Sequence, residues 1–311
     1  MHRRALMYDV VIVGGGPAGL SAALILGRCR RRVLLCDAGT PRNAAAEALH
    51  GFFTRDGTSP LDLLRLGREE LTPYGIVVRN ATVTAVERAA TQFEVTIGES
   101  EHVPTQAVLL ATGICDQLPP IPGLNECYGI SVHHCPYCDG WEHRDEPVTV
   151  MGRGAAACGL ALSLKTWTDR VTLCTNGWTP TQQQRGQLET HHIAVRTERV
   201  IGLDHDGGRV AGVRFHRGEP ADCRALFISC PQVQQSEFAR RLGCEFTRKG
   251  TVKTDHLGET CVPGVYVVGD ASRDVQFVVV AAAEGAKAGV AINKALQKRA
   301  GLAVLPEASN A

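Results

Sequence analysis

The sequence predicts an α/β protein of two three-layer domains, the second inserted in the first. Three observations predict it. A continuous apolar stretch, Val10-Val11-Ile12-Val13, runs into Gly14-Gly15-Gly16-Pro17-Ala18-Gly19 and then an apolar helix. The same order restarts at Val148-Thr149-Val150-Met151, with Gly152-Arg153-Gly154 as its turn. Near residue 245 the pattern changes again, and a strand over 264–270 and a long helix from about 277 read as the first domain resuming. Both halves thus carry the βαβ order of a dinucleotide-binding, Rossmann-like fold. The expected division is 1–117 with 246–311, and 118–245 between them.

In order, residues 8–13 read as a buried strand and 17–30 as a helix, and 33–36 as a second strand ending at Asp37. Pro60 opens a helix with Leu61, Leu64 and Leu71 on one face, since proline suits a first helical turn. Short strands are expected near 76–78, 81–88 and 91–97, and Val108-Leu109-Leu110 leads into Ala111-Thr112-Gly113. The proline-rich Leu118-Pro119-Pro120-Ile121-Pro122-Gly123 is the expected linker, because proline stops both helix and ladder. Beyond it, 148–151 is a strand, 155–168 a helix and Val171–Cys174 a strand.

Composition narrows the function classes. With 311 residues the chain can bury two cores, and a net charge of +1 favours neither nucleic acid nor an anionic membrane as partner. The basic run Arg28, Arg30, Arg31, Arg32 falls at a predicted helix end, where cations complement the helix dipole. Glycines and Pro17 interrupt the apolar start, so it does not read as a signal segment, and no apolar run reaches membrane-spanning length. The 12 cysteines are scattered and include a single CxxC, which fits a reducing cytoplasm better than a disulfide-stapled secreted domain.

Three motifs carry chemistry. In Gly14–Gly19 the GxGxxG glycines permit a tight turn and close approach of a pyrophosphate to a helix N-terminus, and Asp37 at the next strand end can bind a ribose diol. Near the C-terminus, Val265-Tyr266-Val267-Val268 delivers Gly269-Asp270 to the end of a short strand. Between these lies Cys135-Pro136-Tyr137-Cys138-Asp139-Gly140, where two thiols three positions apart can close a reversible disulfide beside an acid. Structural zinc uses the same spacing but wants four ligands. No second CxxC exists, and His134 abuts Cys135, so no metal is expected. His133 and His134 either lower a thiol pKa or sit on the surface. The second glycine turn has weaker support. The strand after it ends Cys174-Thr175-Asn176-Gly177-Trp178, with no acid for an NAD ribose and no arginine pair for a 2′-phosphate. Arg153 and Arg185 are the nearest cations, and neither is expected at that strand end.

Taken together, these motifs resemble the low-molecular-weight thioredoxin reductase family over almost the whole chain. The resemblance implies that Gly14, Gly16, Pro17, Ala18, Gly19 and Asp37 hold the pyrophosphate and ribose of FAD, with Val83, Thr112, Gly113 and Gly269 also contacting the cofactor. It implies that Asp270 binds the ribityl chain and that Gln276 and Phe277, which replace the family's Arg-Gln-Ala stretch, border the flavin. It assigns Cys138 to face the flavin, Cys135 to exchange with substrate, and Asp139 to act as acid/base. The family's basic grip on NADPH is replaced by Cys174-Thr175-Asn176, so the second nucleotide is left between NADPH and a further flavin, with a ferredoxin-type protein as the other electron donor. Pro-Tyr between the cysteines also looks like the branch holding gliotoxin- and holomycin-type dithiol oxidases. The expected molecule is an FAD-dependent dithiol/disulfide oxidoreductase, a homodimer by family likeness, acting on a thioredoxin-like protein or a small dithiol. An NADPH-dependent thioredoxin reductase, an oxygen-using dithiol oxidase and a non-enzymatic redox-sensing flavoprotein are the alternatives.

Overall fold

The computed structural model describes residues 7–273 and 275–302. The chain forms two compact units. One runs up to Arg42, over Leu61–Cys115 and from Val233 onward; the other comprises Asn43–Pro60 and Asp116–Gln232.

In the first unit the apolar Tyr8–Val13 strand lies at the middle of a sheet, paired in parallel with Val33–Asp37 on one side and Glu101–Leu110 on the other. Val33–Asp37 pairs in parallel with Val77–Asn80, and Val265–Val267 pairs in parallel with Glu101–Leu110. The Val83–Ala89 and Gln92–Ile97 hairpin adds antiparallel strands to the lower half of Glu101–Leu110. Strands buried on both faces need near-continuous apolar sequence, and Val10–Val13 and Val33–Cys36 have it. Helix Pro17–Arg28 follows the first strand as expected, ending two residues early, and Pro60–Leu71 forms with its proline at the start.

The final helix, Val278–Arg299, packs on Pro17–Arg28 more closely than ordinary side chains permit. A Cβ at Gly285 would lie 2.0 Å from the Ala18 carbonyl oxygen, and one at Gly289 would meet the Ile25 side chain at 3.0 Å. The basic run at the end of Pro17–Arg28 is engaged locally. Arg28 donates to the Tyr74 hydroxyl at 2.6 Å, Arg31 to Asn293 at 2.7 Å, and Arg32 stacks over Tyr8.

The second unit has a five-stranded parallel sheet in the order Ala194–Arg196, Val171–Cys174, Val148–Met151, Ala225–Ile228, Val132–His133. A three-stranded antiparallel sheet of Val200–Asp206, Arg209–Phe215 and Ala221–Asp222 accompanies it. Helix Gly154–Leu164 stops four residues short of the expected end, and the chain turns through Thr166, Trp167 and Thr168.

Two boundaries differ from those expected from sequence. The return to the first unit comes at Val233, not 246, because Phe238, Ala239 and Cys244 join the core around Val83, Val86 and Val95, and Gln234 donates to the Gly250 and Ala271 carbonyls. Residues 43–60 group with the second unit, where Glu47 pairs with Arg209 and His50 lies 3.4 Å from Glu142. Neither departure had a local signal, since both depend on partners distant in sequence. Among the described residues, no helix is long and apolar enough to cross a membrane.

The helix pair generates a stability prediction. Gly285→Ala should destabilise the first unit by about 1–3 kcal/mol, because its methyl meets backbone that cannot move aside. Gly159→Ala, on an exposed helix position with nothing within 4 Å of the new methyl, should be neutral or stabilising. Thermal unfolding of the two variants checks both; equal midpoints would contradict the packing argument.

Candidate active site

In the first unit the glycine turn is shaped by close approach. Gly14 has φ +109, a left-handed conformation that glycine alone adopts without strain, and a Cβ at Gly19 would come within 2.0 Å of the Gly14 carbonyl. The turn therefore folds tightly onto its helix. Gly16 is the N-cap of Pro17–Arg28 with no side-chain cap, and a Cβ there would meet nothing within 4 Å. An open, uncapped helix start can receive a phosphate. Asp37 ends the adjacent strand with its carboxylate largely buried, accepting from the Gly39 amide at 3.2 Å and ion-paired with Arg68. The Arg68 Nε is buried without a hydrogen-bond partner among the described residues, a polar atom left for a ligand to satisfy. This cradle fits a dinucleotide.

The other positions inferred for the cofactor fall in the same unit. Ser236 donates to the Thr112 hydroxyl at 3.3 Å, and Gln235 donates its amide to the Gly113 carbonyl; Gly113 has φ +68 and open space beside it. Gly269, at φ +70, packs against Ala18 and donates its amide to Glu284 at 3.0 Å, which anchors Gly269-Asp270 to the final helix. Asp270 lies 3.4 Å from Arg42, whose guanidinium also donates to Gln276 at 2.7 Å. Phe277 caps the final helix. The Val83 side chain is buried in the core, so only its main chain can face a ligand. Arg42, Arg68 and Glu284 went unnoticed in the sequence, since each matters only through a partner far along the chain.

In the second unit, Gly152-Arg153-Gly154 does make a strand–turn–helix junction, with Gly154 at φ +73. The side chains at the next strand end are engaged. Cys174 and Thr175 are buried, the Thr175 hydroxyl donates to the Trp178 carbonyl, and the Asn176 side chain accepts from the Val200 amide at 3.0 Å. One expectation is corrected here. Arg153 does reach this strand end, donating to the Asn176 carbonyl at 2.8 Å, whereas Arg185 turns back to Pro180. The long arginine stem spans the gap that residue spacing alone left open.

The Cys135–Cys138 pair is closed as a disulfide with Cα atoms 5.3 Å apart, across the single turn Pro136–Asp139. A Cβ at Gly140 would lie 2.4 Å from the Pro136 carbonyl and 2.8 Å from the Trp167 ring, so glycine is required to end this turn. Tyr137 meets the same indole edge-on at 5.5 Å between ring centres, yet is 69 % exposed; Trp141 is 64 % exposed. The two partly exposed cysteines thus sit in a stretch with two exposed aromatic rings. His133 is not a surface residue: it is 7 % exposed, and its Nδ1 lies 3.3 Å from an Asp139 carboxylate oxygen.

Burial sorts most of the other cysteines away from chemistry. It pushes the Cys36 thiol up to about 11, Cys223 to about 11 and Cys174 to about 12, and raises Cys127, Cys158 and Cys244. Such thiols stay protonated at neutral pH and are poor nucleophiles.

Comparison with known proteins agrees with this geometry. The profile of the Pyridine nucleotide-disulphide oxidoreductase family matches residues 8–285. Thioredoxin reductase aclD of Aspergillus oryzae is 30 % identical over 306 residues, covering 93 % of this chain and 96 % of aclD. The crystal structure of HlmI superimposes with a TM-score of 0.91 at 36 % identity, covering 94 % of each chain. The oxidoreductase from Agrobacterium tumefaciens gives 0.88 at 33 % identity, over 94 % of this chain and 99 % of its own. The cradle for a dinucleotide, the closed CxxC disulfide and these similarities place the chain in the pyridine nucleotide-disulphide oxidoreductase family, as an FAD-dependent disulfide oxidoreductase of the thioredoxin reductase-like kind.

Proposed function

We propose that this enzyme exchanges electron pairs between FAD and the Cys135–Cys138 disulfide, and between that disulfide and a dithiol or disulfide substrate, without relying on NADPH. The observation that carries the reading is the closed, part-exposed pair on a turn that also holds Asp139. FAD, when bound, supplies the two-electron donor or acceptor that the side chains lack. Gly14, Gly16, Pro17, Ala18 and Gly19 would hold its pyrophosphate, Asp37 its ribose and Asp270 its ribityl chain, with Arg42 fixing Asp270 and Gln276.

In the oxidising direction a substrate thiolate attacks the Cys135 sulfur. The Cys135–Cys138 bond breaks, and Cys138 leaves with the bonding electrons and takes a proton from Asp139. The second substrate thiol, deprotonated, then attacks the mixed disulfide. It releases substrate disulfide and a reduced cysteine pair, whose two electrons are the substrate's. The exposed Tyr137 and Trp141 rings would supply apolar contact to a thioredoxin-like protein or a small dithiol. The electron partner is a ferredoxin-type protein, a second flavin or, for a dithiol oxidase, oxygen. Scattered cysteines with a single CxxC suit a cytoplasmic setting, and the family likeness a homodimer.

A second reading, an NADPH-dependent reductase, is favoured by Arg153 alone, which puts one cation at the end of Val171–Cys174.

Three outcomes test the proposal. Asp37→Ala should weaken FAD retention about 10- to 100-fold through the loss of one charge-assisted contact, read by FAD released on dilution; unchanged retention removes Asp37 from the site. Anaerobic mixing with NADPH should bleach the flavin slowly at micromolar nucleotide. Fast bleaching that Arg153→Ala abolishes would establish the second reading. Cys135→Ser should leave Cys138 as a thiolate beside oxidised flavin and produce long-wavelength absorbance. Cys138→Ser should lack that band yet form mixed disulfides through Cys135. The opposite pattern would reverse the two roles.

A further inference from the structure

Behind the disulfide turn lies a chain of titratable groups. His133, on the short Val132–His133 strand, is buried at 7 % exposure. Its Nδ1 faces Asp139 at 3.3 Å, and its Nε2 faces the Nε2 of His143 at 3.2 Å. Phe227, its partner on the neighbouring strand, packs on both imidazoles with ring centres 5.6 and 6.5 Å away. Only one hydrogen fits between two ring nitrogens at that separation, so the pair carries at most one positive charge. With Asp139 ionised, the consistent arrangement has His133 Nδ1–H donating to the carboxylate and His143 Nε2–H donating to His133.

We propose that His133 and His143 form a proton relay that supplies Asp139 during opening of the Cys135–Cys138 disulfide. The proposal rests on the reading of Asp139 as the acid. Asp139 takes the His133 Nδ1 proton and passes it to the leaving sulfur; His133 Nε2 takes the His143 Nε2 proton; and His143 Nδ1 is reprotonated from water. Each ring gives one proton and receives one, ends neutral in the opposite tautomer, and the net change is one solvent proton delivered to sulfur. His143 is suited to the outer place. It lies on the exposed 141–146 turn, partly buried, facing His133 and Asp139 from the adjacent strand and turn and Glu142 and Glu146 from its own. Glu142 is in turn met by His50 from the 43–60 segment, and Arg144 stacks over Trp141. Burial, and then the His133 charge, lower the His143 pKa from its ordinary value, with Asp139, Glu146 and Glu142 opposing. The ring therefore rests neutral at physiological pH, the form in which it can both accept and give a proton. His133 and His143 are positioning residues here, acting on sulfur only through Asp139.

The test uses the FAD-loaded protein and dithiothreitol. Single-turnover opening of the disulfide is followed by quenching, alkylation and mass spectrometry of the Cys135–Cys138 peptide. His143→Ala should slow opening about tenfold, a loss widening from about pH 6 to about pH 9 as solvent protons become scarce, and added imidazole should restore the rate. His143→Gln, which keeps a hydrogen bond to His133 but cannot shuttle a proton, should be equally slow, and serves if the alanine variant does not fold. Asp139→Asn should be slow by itself, and His143→Ala in that background should add nothing. An unchanged rate in both His143 variants, additivity with Asp139→Asn, or a loss that imidazole does not restore and pH does not modulate would overturn the relay. An unchanged rate in Asp139→Asn would instead overturn the acid role of Asp139 itself.

Discussion

The first unit depends on a backbone-to-backbone contact that only glycine permits. Gly285 lies over the Ala18 carbonyl, and Gly19 lies over the Gly14 carbonyl. The two contacts stack the final helix, the first helix and the glycine turn without intervening side chains. Because Gly269 also abuts Ala18 and its amide is held by Glu284 of the final helix, the same stack delivers Asp270 to the unit that holds the glycine turn. Residues more than two hundred positions apart in sequence are thereby brought into one unit, where we propose that they serve one cofactor cradle. Interiors this densely packed do not deform gradually, so the cradle and the core share their stability.

The second unit applies the same economy to the disulfide. Gly140 lets the Trp167 indole come up beneath the turn, and Tyr137 leans its edge on that ring. Trp167 lies just past the end of Gly154–Leu164, so this helix helps to place the disulfide whatever its glycine turn binds. The early end of the helix is what makes this possible: the Trp167 amide returns to the Leu164 carbonyl, and the Trp167 carbonyl accepts from Asp145. A helix running on to 168 would have carried the indole elsewhere.

Burial separates the CxxC pair from the other thiols. Six buried cysteines have thiol pKa values raised by desolvation, while the CxxC pair sits on a part-exposed turn that carries an acid and leads to two facing imidazoles. The contrast needs no special catalytic element. It follows from burial on one side and exposure beside titratable groups on the other.

The sequence by itself determined the two βαβ units, the glycine turn, Asp37, Gly269-Asp270 and the CxxC, because each rests on local spacing: an apolar run, a turn that needs glycine, or two thiols one turn apart. The strands Val148–Met151 and Val171–Cys174 were legible to the residue for the same reason. Only the tertiary structure decided that 43–60 belong with the second unit, that the chain returns at Val233, that Arg153 reaches the end of Val171–Cys174, and that Arg42 and Arg68 meet Asp270 and Asp37. It also decided that His133 is buried between Asp139 and His143 and not on the surface. Each of these is a meeting of side chains from separate elements. A long side chain's reach and a segment's choice of partner are set by the packing around them, which residue spacing along one chain does not encode.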